Sequence, residues 1–198
     1  MALKEWAVVV QALGRGAQLL LLRKGGIAEE DGEFRLAARE FFLYPTREHQ
    51  QEAWLQPRYA ATFRTLLADA PQGEELSLAY YAAVTDVWPA PELARMKQLG
   101  DAFVWNEAFL EKRYAYKPEL PLSVLVLRTY RLPQALRVSN WERYAGCRSW
   151  VELEEALPTR GAIPVWDDTE FERRREALRE RLVGSMVRHG SPQAVARG

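Results

Sequence analysis

The sequence predicts a mixed α/β fold: a curled mixed sheet or small β-barrel with helices at its periphery and a charged helix near the C-terminus. Three observations lead there. Apolar runs at 17–23, 40–46, 76–88 and 123–132 have strand length and are dense in Leu, Val, Phe and Tyr. Segments 4–14 and 169–182 read instead as helices. The strands are separated by irregular lengths, without the regular β-α-β alternation of a doubly wound sheet. Apolar strands of this kind need cover on both faces or closure into a barrel.

Taken in order, residues 4–14 read as a helix burying Trp6, Val9, Val10 and Leu13, closed by Gly14 or Gly16. A strand over 17–23 runs into an acidic turn at 28–33. The strand 40–46 is ended by Pro45, and Thr46 caps a short helix over 47–54 with His49 one turn in. Residues 59–69 fit helix and loop equally. After the turn at 71–75 comes the long strand 76–88. Pro89 and Pro91 then fix an extended link. Short helices follow at 93–100 and 106–113, with a strand or turn at 103–105 between them. The run 123–132 is the clearest central strand, and 151–157 suits a helix. The last helix, 169–182, is capped by Asp168 or Thr169 and laced with Arg and Glu at pairing distance. Its expected role is a solvated or partner-contacting helix. The expected organisation is one domain over 1–166, the charged helix over 167–184, and a flexible tail over 185–198.

Composition narrows the function. With 27 basic and 27 acidic residues, the chain has no global field to steer a polyanion, so any nucleic-acid affinity must come from a local patch. The single cysteine, Cys147, excludes an intrachain disulfide and a cysteine zinc cage, and reads as a small buried thiol. A reducing, cytoplasmic location is expected. No apolar run reaches the length of a membrane span, and the N-terminus reads as an amphipathic helix rather than a signal peptide.

Four groups of residues carry candidate chemistry. Arg23, Lys24, Gly25 and Gly26 end a strand with two cations and two glycines, a combination that suits an anion, since glycine lets backbone N–H groups approach it. The alternative is a tight turn whose cations pair with Glu29, Glu30 or Asp31. Tyr44, Arg47, Glu48 and His49 concentrate polar groups after a strand. There His49, with Glu48, is a candidate acid or base, phosphate contact or metal ligand. The alternative is a helix start with its histidine bonded to a carbonyl. Trp105, Lys112, Arg113, Tyr114, Tyr116 and Lys117 interleave rings and cations, as base stacking with phosphate contact requires. Core packing is the stronger account of Trp105. Glu29, Glu30, Asp31, Glu33 and Glu48 offer carboxylates to a divalent ion, or form a solvated acidic loop.

Five strings resemble an uncharacterised bacterial family, domain-of-unknown-function family 1802: WAVVVQAL, QLLLLRKGGIAE, FFLYPTREHQ, SVLVLRTYRL and YAGCRSWVEL. That resemblance implies no activity. Gly16-x-Gln18-x-x-x-x-Arg23, following an amphipathic helix, is similar to the signature of ASCH domains in the PUA-like superfamily. That pattern carries Lys where this chain has Gln18, and often Glu where it has Leu21. The resemblance implies a small curled barrel that binds RNA or modified nucleotides.

Two functions compete at this point. The first is a PUA-like module binding RNA, single-stranded DNA or a nucleotide. In it Arg23, Lys24, Arg47 and Lys112 meet phosphate, and Tyr44, Trp105 or Tyr114 stacks a base. The second is a metal-dependent nuclease or phosphodiesterase using the acidic loop 29–33 and His49. None of the five lysines has an acid two positions before it, which counts against the common nuclease core. The binding reading is preferred, and whether the chain is an enzyme stays open. No cofactor, metal or membrane is implied. A second copy of the chain, meeting through the C-terminal helix, is a further expected partner. A third reading is an interaction protein whose aromatics simply fill a core.

Overall fold

A computed structural model describes residues 1–24, 36–69, 75–139, 144 and 149–183. Their elements are β1 (Ala2–Trp6), α1 (Ala7–Gly14), β2 (Leu20–Lys24), β3 (Glu40–Thr46), α2 (Ala60–Ala68), β4 (Glu75–Pro89), α3 (Leu93–Lys97), α4 (Glu107–Ala115), β5 (Leu122–Ser139), β6 (Trp150–Val151), β7 (Ile163–Pro164) and α5 (Asp168–Val183). All seven strands form one mixed sheet in the order β2-β5-β4-β3-β1-β6, with β7 also paired to β5. The β1–β3 ladder is parallel, from Ala2 opposite Phe42 to Trp6 opposite Thr46, and the others are antiparallel. The four strands predicted from the sequence therefore share one sheet.

That sheet is open but strongly curled. Strands β2 and β1 lie four places apart, which in a flat sheet is about 19 Å. Yet Arg23 on β2 bonds directly to Glu5 and to the Lys4 carbonyl on β1. Only curling brings those strands together. The helix α1 is buried on nearly every side and packs against β3 and β5. Its last residue, Gly14, lies under the Tyr80 ring, where a Cβ would come within 2.1 Å of Cζ. The main core joins α1, β2 and β5 to Phe103, Val104 and Trp105, and is completed by Phe171, Leu178 and Leu182 of α5. A second cluster gathers Phe42, Tyr44, Leu78, Leu132 and Val151.

Several local expectations are corrected. Residues 2–6 are a strand rather than the first turns of a helix, because β1 finds ladder partners in both β3 and β6. Helix α1 starts at Ala7, and the Trp6 N–H is bonded by the Glu5 carboxylate at 2.9 Å. No helix spans 47–54. The Thr46 hydroxyl accepts from the Glu48 N–H at 3.1 Å in a turn, His49 follows at φ 60°, and only Glu52–Trp54 makes a short 3₁₀ turn. Residues 151–157 are not helical either: Trp150 and Val151 pair with β1, and Leu153 and Leu157 pack on the second cluster. The cap of α5 is Asp167, whose carboxylate accepts from the Glu170 N–H at 2.8 Å, one residue before the expected cap.

Helix α5 spends its apolar residues inside the chain. Its polar residues clamp it there: Arg175 grips Asp86 with two bonds of 2.6 and 2.9 Å, Arg181 pairs with Asp101, and Arg95 donates to its last carbonyls. It is therefore a structural wall as well as a charged surface. No helix among the described residues is long and apolar enough to cross a membrane.

Candidate functional site

Strand alternation points Lys4 and Glu5 of β1 to opposite faces. The Lys4 ammonium lies 5.6 Å from the Tyr44 ring centroid. Glu5 faces the other way. One carboxylate oxygen takes the Trp6 N–H, and the other takes Arg23 Nη2 at 2.9 Å. Arg23 Nη2 also donates to the Lys4 carbonyl at 3.3 Å, while Arg23 Nε is buried with no partner. This is a part-buried ion pair, its side chains 16% and 10% exposed.

The next residue of β2 has a different task. Lys24 Nζ donates to the carbonyls of Arg113 at 3.2 Å and Tyr114 at 2.6 Å. A cation on the last carbonyls of a helix satisfies orphan acceptors and complements the helix dipole. Lys24 thus ties β2 to the C-terminus of α4. Burial, and then repulsion from Arg113, lowers its pKa from the usual lysine value, against an opposing pull from Glu119.

Arg113 completes the cluster. Its guanidinium has no hydrogen-bond or ion-pair partner among the described residues. Its pKa is pulled down by burial and then by Arg23, against the attraction of Glu5 and Tyr116. Two guanidiniums, Arg23 and Arg113, therefore act on one largely buried carboxylate, Glu5, and that of Arg113 has no partner among the described residues.

Beside this cluster stands an aromatic layer. Trp6 stacks on Trp54 with centroids 6.0 Å apart and meets Phe109 edge-on at 5.3 Å. Phe109 in turn stacks on Trp105 at 5.2 Å. Lys112 Nζ sits 3.9 Å from the Trp54 ring centroid. Asn106 starts α4 by accepting from the Phe109 N–H, which sets the face that carries both Phe109 and Lys112.

The predicted site residues thus fall into five sets. Arg23, Lys24 and Arg113 come together. Lys112 lies on the adjoining layer, and Trp105 is its inner member, only 3% exposed. Tyr44 is 4% exposed, and burial pushes its hydroxyl up to about 12, so its ring is core rather than a stacking platform. The Tyr114 ring is held by its hydroxyl on the Pro91 carbonyl at 2.6 Å, and burial pushes that group up to about 12. Arg47 Nε donates to the Leu66 carbonyl at 3.1 Å, which fixes α2 to the end of β3. Glu48 and His49 are exposed beyond Thr46, the ladder partner of Trp6. Gly25, Gly26, Glu29, Glu30, Asp31, Glu33 and Cys147 lie outside the described residues.

Sequence reasoning missed Glu5, Trp6 and Trp54 as site-building residues. Glu5 did leave a signal, as the sole acid in the first 28 residues. Tyr116, named with its neighbours from the sequence, is 54% exposed and is the ring presented most openly here. The adjacent Lys117 has φ 43°, an uncommon conformation for a residue other than glycine, and faces that ring. Gln18, which replaces the lysine of the ASCH pattern, is fully engaged: its amide donates to the Leu20 carbonyl and accepts the Val104 N–H. Elsewhere, a cleft of about 220 Å³ runs between Gly16–Leu19 and α5. The guanidiniums on its wall are already paired, Arg173 and Arg174 with Glu170 and Arg181 with Asp101. No group of three His, Cys, Asp or Glu among the described residues could hold a metal ion.

Fold and site together define a mixed α+β domain on an open, curled sheet, with a cation cluster and an aromatic layer side by side. The chain belongs to the family described as Domain of unknown function (DUF1802), whose model matches residues 2–177. Two solved structures are similar to it, both of an ASCH protein from Zymomonas mobilis. One, an alanine mutant, is 11% identical with a TM-score of 0.42, covering 89% of this chain and 94% of that one. The other is 10% identical with a TM-score of 0.41, covering 89% and 93%. No curated protein matches the chain.

Proposed function

We propose that this protein is a PUA-like nucleic-acid or nucleotide binding module. Phosphate is held by Arg23 and Arg113 with Lys24 adding charge, and a base stacks on a neighbouring ring. The observation that carries this reading is the Arg113 guanidinium, which has no partner among the described residues and feels the charge of Arg23. Half-burying two like charges around one carboxylate opposes folding, and an incoming anion relieves that cost. Tyr116 and the Lys112-covered face of Trp54 supply rings within the same neighbourhood. RNA or single-stranded DNA offers both phosphate and unstacked bases. Its natural setting in this reading is the cytoplasm. Nothing among the described residues favours the nuclease alternative.

Fluorescence anisotropy with a labelled single-stranded 12-mer of RNA or DNA tests the proposal. Affinity should fall steeply with added salt as counterions are released. Arg113→Gln should weaken binding about tenfold, as expected for losing a charged hydrogen bond worth roughly 1.5 kcal/mol. Salt-independent binding, or equal affinity for the variant, would remove this cluster from the interface.

A further inference from the structure

We propose that the cleft between the α1–β2 turn and α5 binds a small amphiphilic oxyanion, a carboxylate or phosphate on a short apolar body, with Arg174 holding the charged group. None of the cleft's lining residues belongs to the Arg23 and Arg113 cluster, so the inference stands apart from the nucleic-acid reading.

The space sets the size of the occupant. The cleft measures about 220 Å³ between Gly16–Leu19, Asp101 and Ala102, and α5. Sites for drug-sized ligands run from roughly 300 to 1,000 Å³, so a smaller molecule fits here. On α5, Arg174, Ala177, Leu178 and Arg181 stand at i, i+3, i+4 and i+7, which puts them on one face of the helix. That stripe is about 10 Å long, cationic at its ends and apolar between them. Ala177 is small and exposed, which opens the middle of the stripe, and Ala17, Leu19 and Ala102 add apolar lining.

The two cationic ends differ. Arg181 gives both terminal nitrogens to Asp101 and one of them also to the Gln98 carbonyl. Its donors are consumed, and the Asp101 carboxylate, 66% exposed, repels an anion arriving at that end. Arg174 is committed far less. Among the described residues it bonds only through Nε, to Glu170 at 2.6 Å, which leaves both terminal nitrogens for a ligand. Glu170 is already gripped by Arg173 with two bonds of 2.7 Å.

Arg174 is also fixed in place. Its guanidinium lies 3.9 Å from the Trp166 ring centroid. Stacking of this kind covers a face of the group and spares the in-plane donors that match an oxyanion. It orders the side chain before a ligand arrives, which lowers the cost of binding. Trp166 in turn packs so closely on Gly16, a residue of the cleft, that a Cβ there would come within 2.4 Å of the ring. An oxyanion on Arg174 thus directs its apolar body along Ala177 and Leu178 toward Asp101.

Carboxylates and phosphates share this chemistry, and calorimetric titration separates them. The probes are butyrate, hexanoate and octanoate, the n-alkyl phosphates of the same lengths, and octanedioate, all at constant ionic strength and neutral pH. Affinity should rise about two- to threefold per methylene, less than the about fourfold of full burial because Ala17 and Ala177 leave the cleft partly open. Octanedioate should bind more weakly than octanoate. Arg174→Gln should weaken binding about tenfold or more. Ala177→Leu, which fills the stripe at an exposed helix position, should abolish it. Both variants change exposed or half-exposed side chains, so their unfolding midpoints should stay within a few degrees of wild type. Tighter binding of either series identifies the head group and supports the inference. No binding by any probe overturns it. So do an affinity indifferent to chain length, octanedioate binding as tightly as octanoate, or full binding by both folded variants.

Discussion

Replacing Arg23 with Met should destabilise the fold severely, although the side chain sits where a ligand contact was expected. In the structure it joins β2 to β1, donating to Glu5 at 2.9 Å and to the Lys4 carbonyl at 3.3 Å. Its loss leaves the Glu5 carboxylate, 10% exposed, with the Trp6 N–H alone among the described residues. Breaking a buried pair by removing one partner costs about 3–5 kcal/mol. Partial exposure, and the nearness of Arg113, reduce that here to about 2–4 kcal/mol. For a chain of this size, 1 kcal/mol moves the unfolding midpoint by about 2–4 °C, so a fall of about 5–15 °C is expected. Calorimetry or circular dichroism would measure it. The double variant Arg23→Met with Glu5→Leu replaces the pair by apolar groups and should recover most of the loss. A midpoint for Arg23→Met within 2 °C of wild type would refute the reasoning, and so would a double variant no more stable than the single.

Other substitutions probe the frame around the site. Gln18→Ala should cost about 2–4 kcal/mol by chemical denaturation, since it leaves the Val104 N–H and the Leu20 carbonyl without their partner. Gly16→Ala should cost at least about 2 kcal/mol, because Gly16 has φ +69° and an added Cβ would lie 2.4 Å from the Trp166 ring. The Asp86 carboxyl is held below its ordinary value chiefly by its hydrogen bond to Arg175. A carboxylate depressed in the folded state contributes its full stability above the unfolded value, near 3.9, and loses it as pH falls through the folded one. Stability should therefore fall below about pH 4, and Asp86→Asn should flatten that limb; an unchanged acid limb in the variant would assign the loss to other groups.

The long strands were legible because their signal is local. Residues 76–88 and 123–132 carry enough Val, Leu and Tyr to declare themselves, and the structure extends both without moving them. The first strand was not legible. Leu3, Lys4, Glu5 and Trp6 adjoin a strongly apolar helix, and only the ladders to β3 and β6 decide that they are extended. The same holds for 151–157, where the edge of β1 overrides a sequence rich in helix formers. At the site, Arg23 and Lys24 stood out by type and position, yet their tasks did not. The partner of Arg23 is 18 residues away and those of Lys24 are 89 and 90 away, so no local pattern reveals which cations the fold consumes. Arg113 was one of several cations in its stretch, and what sets it apart is that it has no partner among the described residues.

The open curl of the sheet changes what limits its shape. In a closed barrel, strand number and shear together fix the radius, and both are integers. Here the gap between β2 and β1 is spanned by one guanidinium instead of a backbone ladder. The circumference is then a continuous quantity, set by the reach of a side chain. A relative with a different residue at position 23 or 5 is free to widen or narrow the interior around α1 without shifting any strand by a register step.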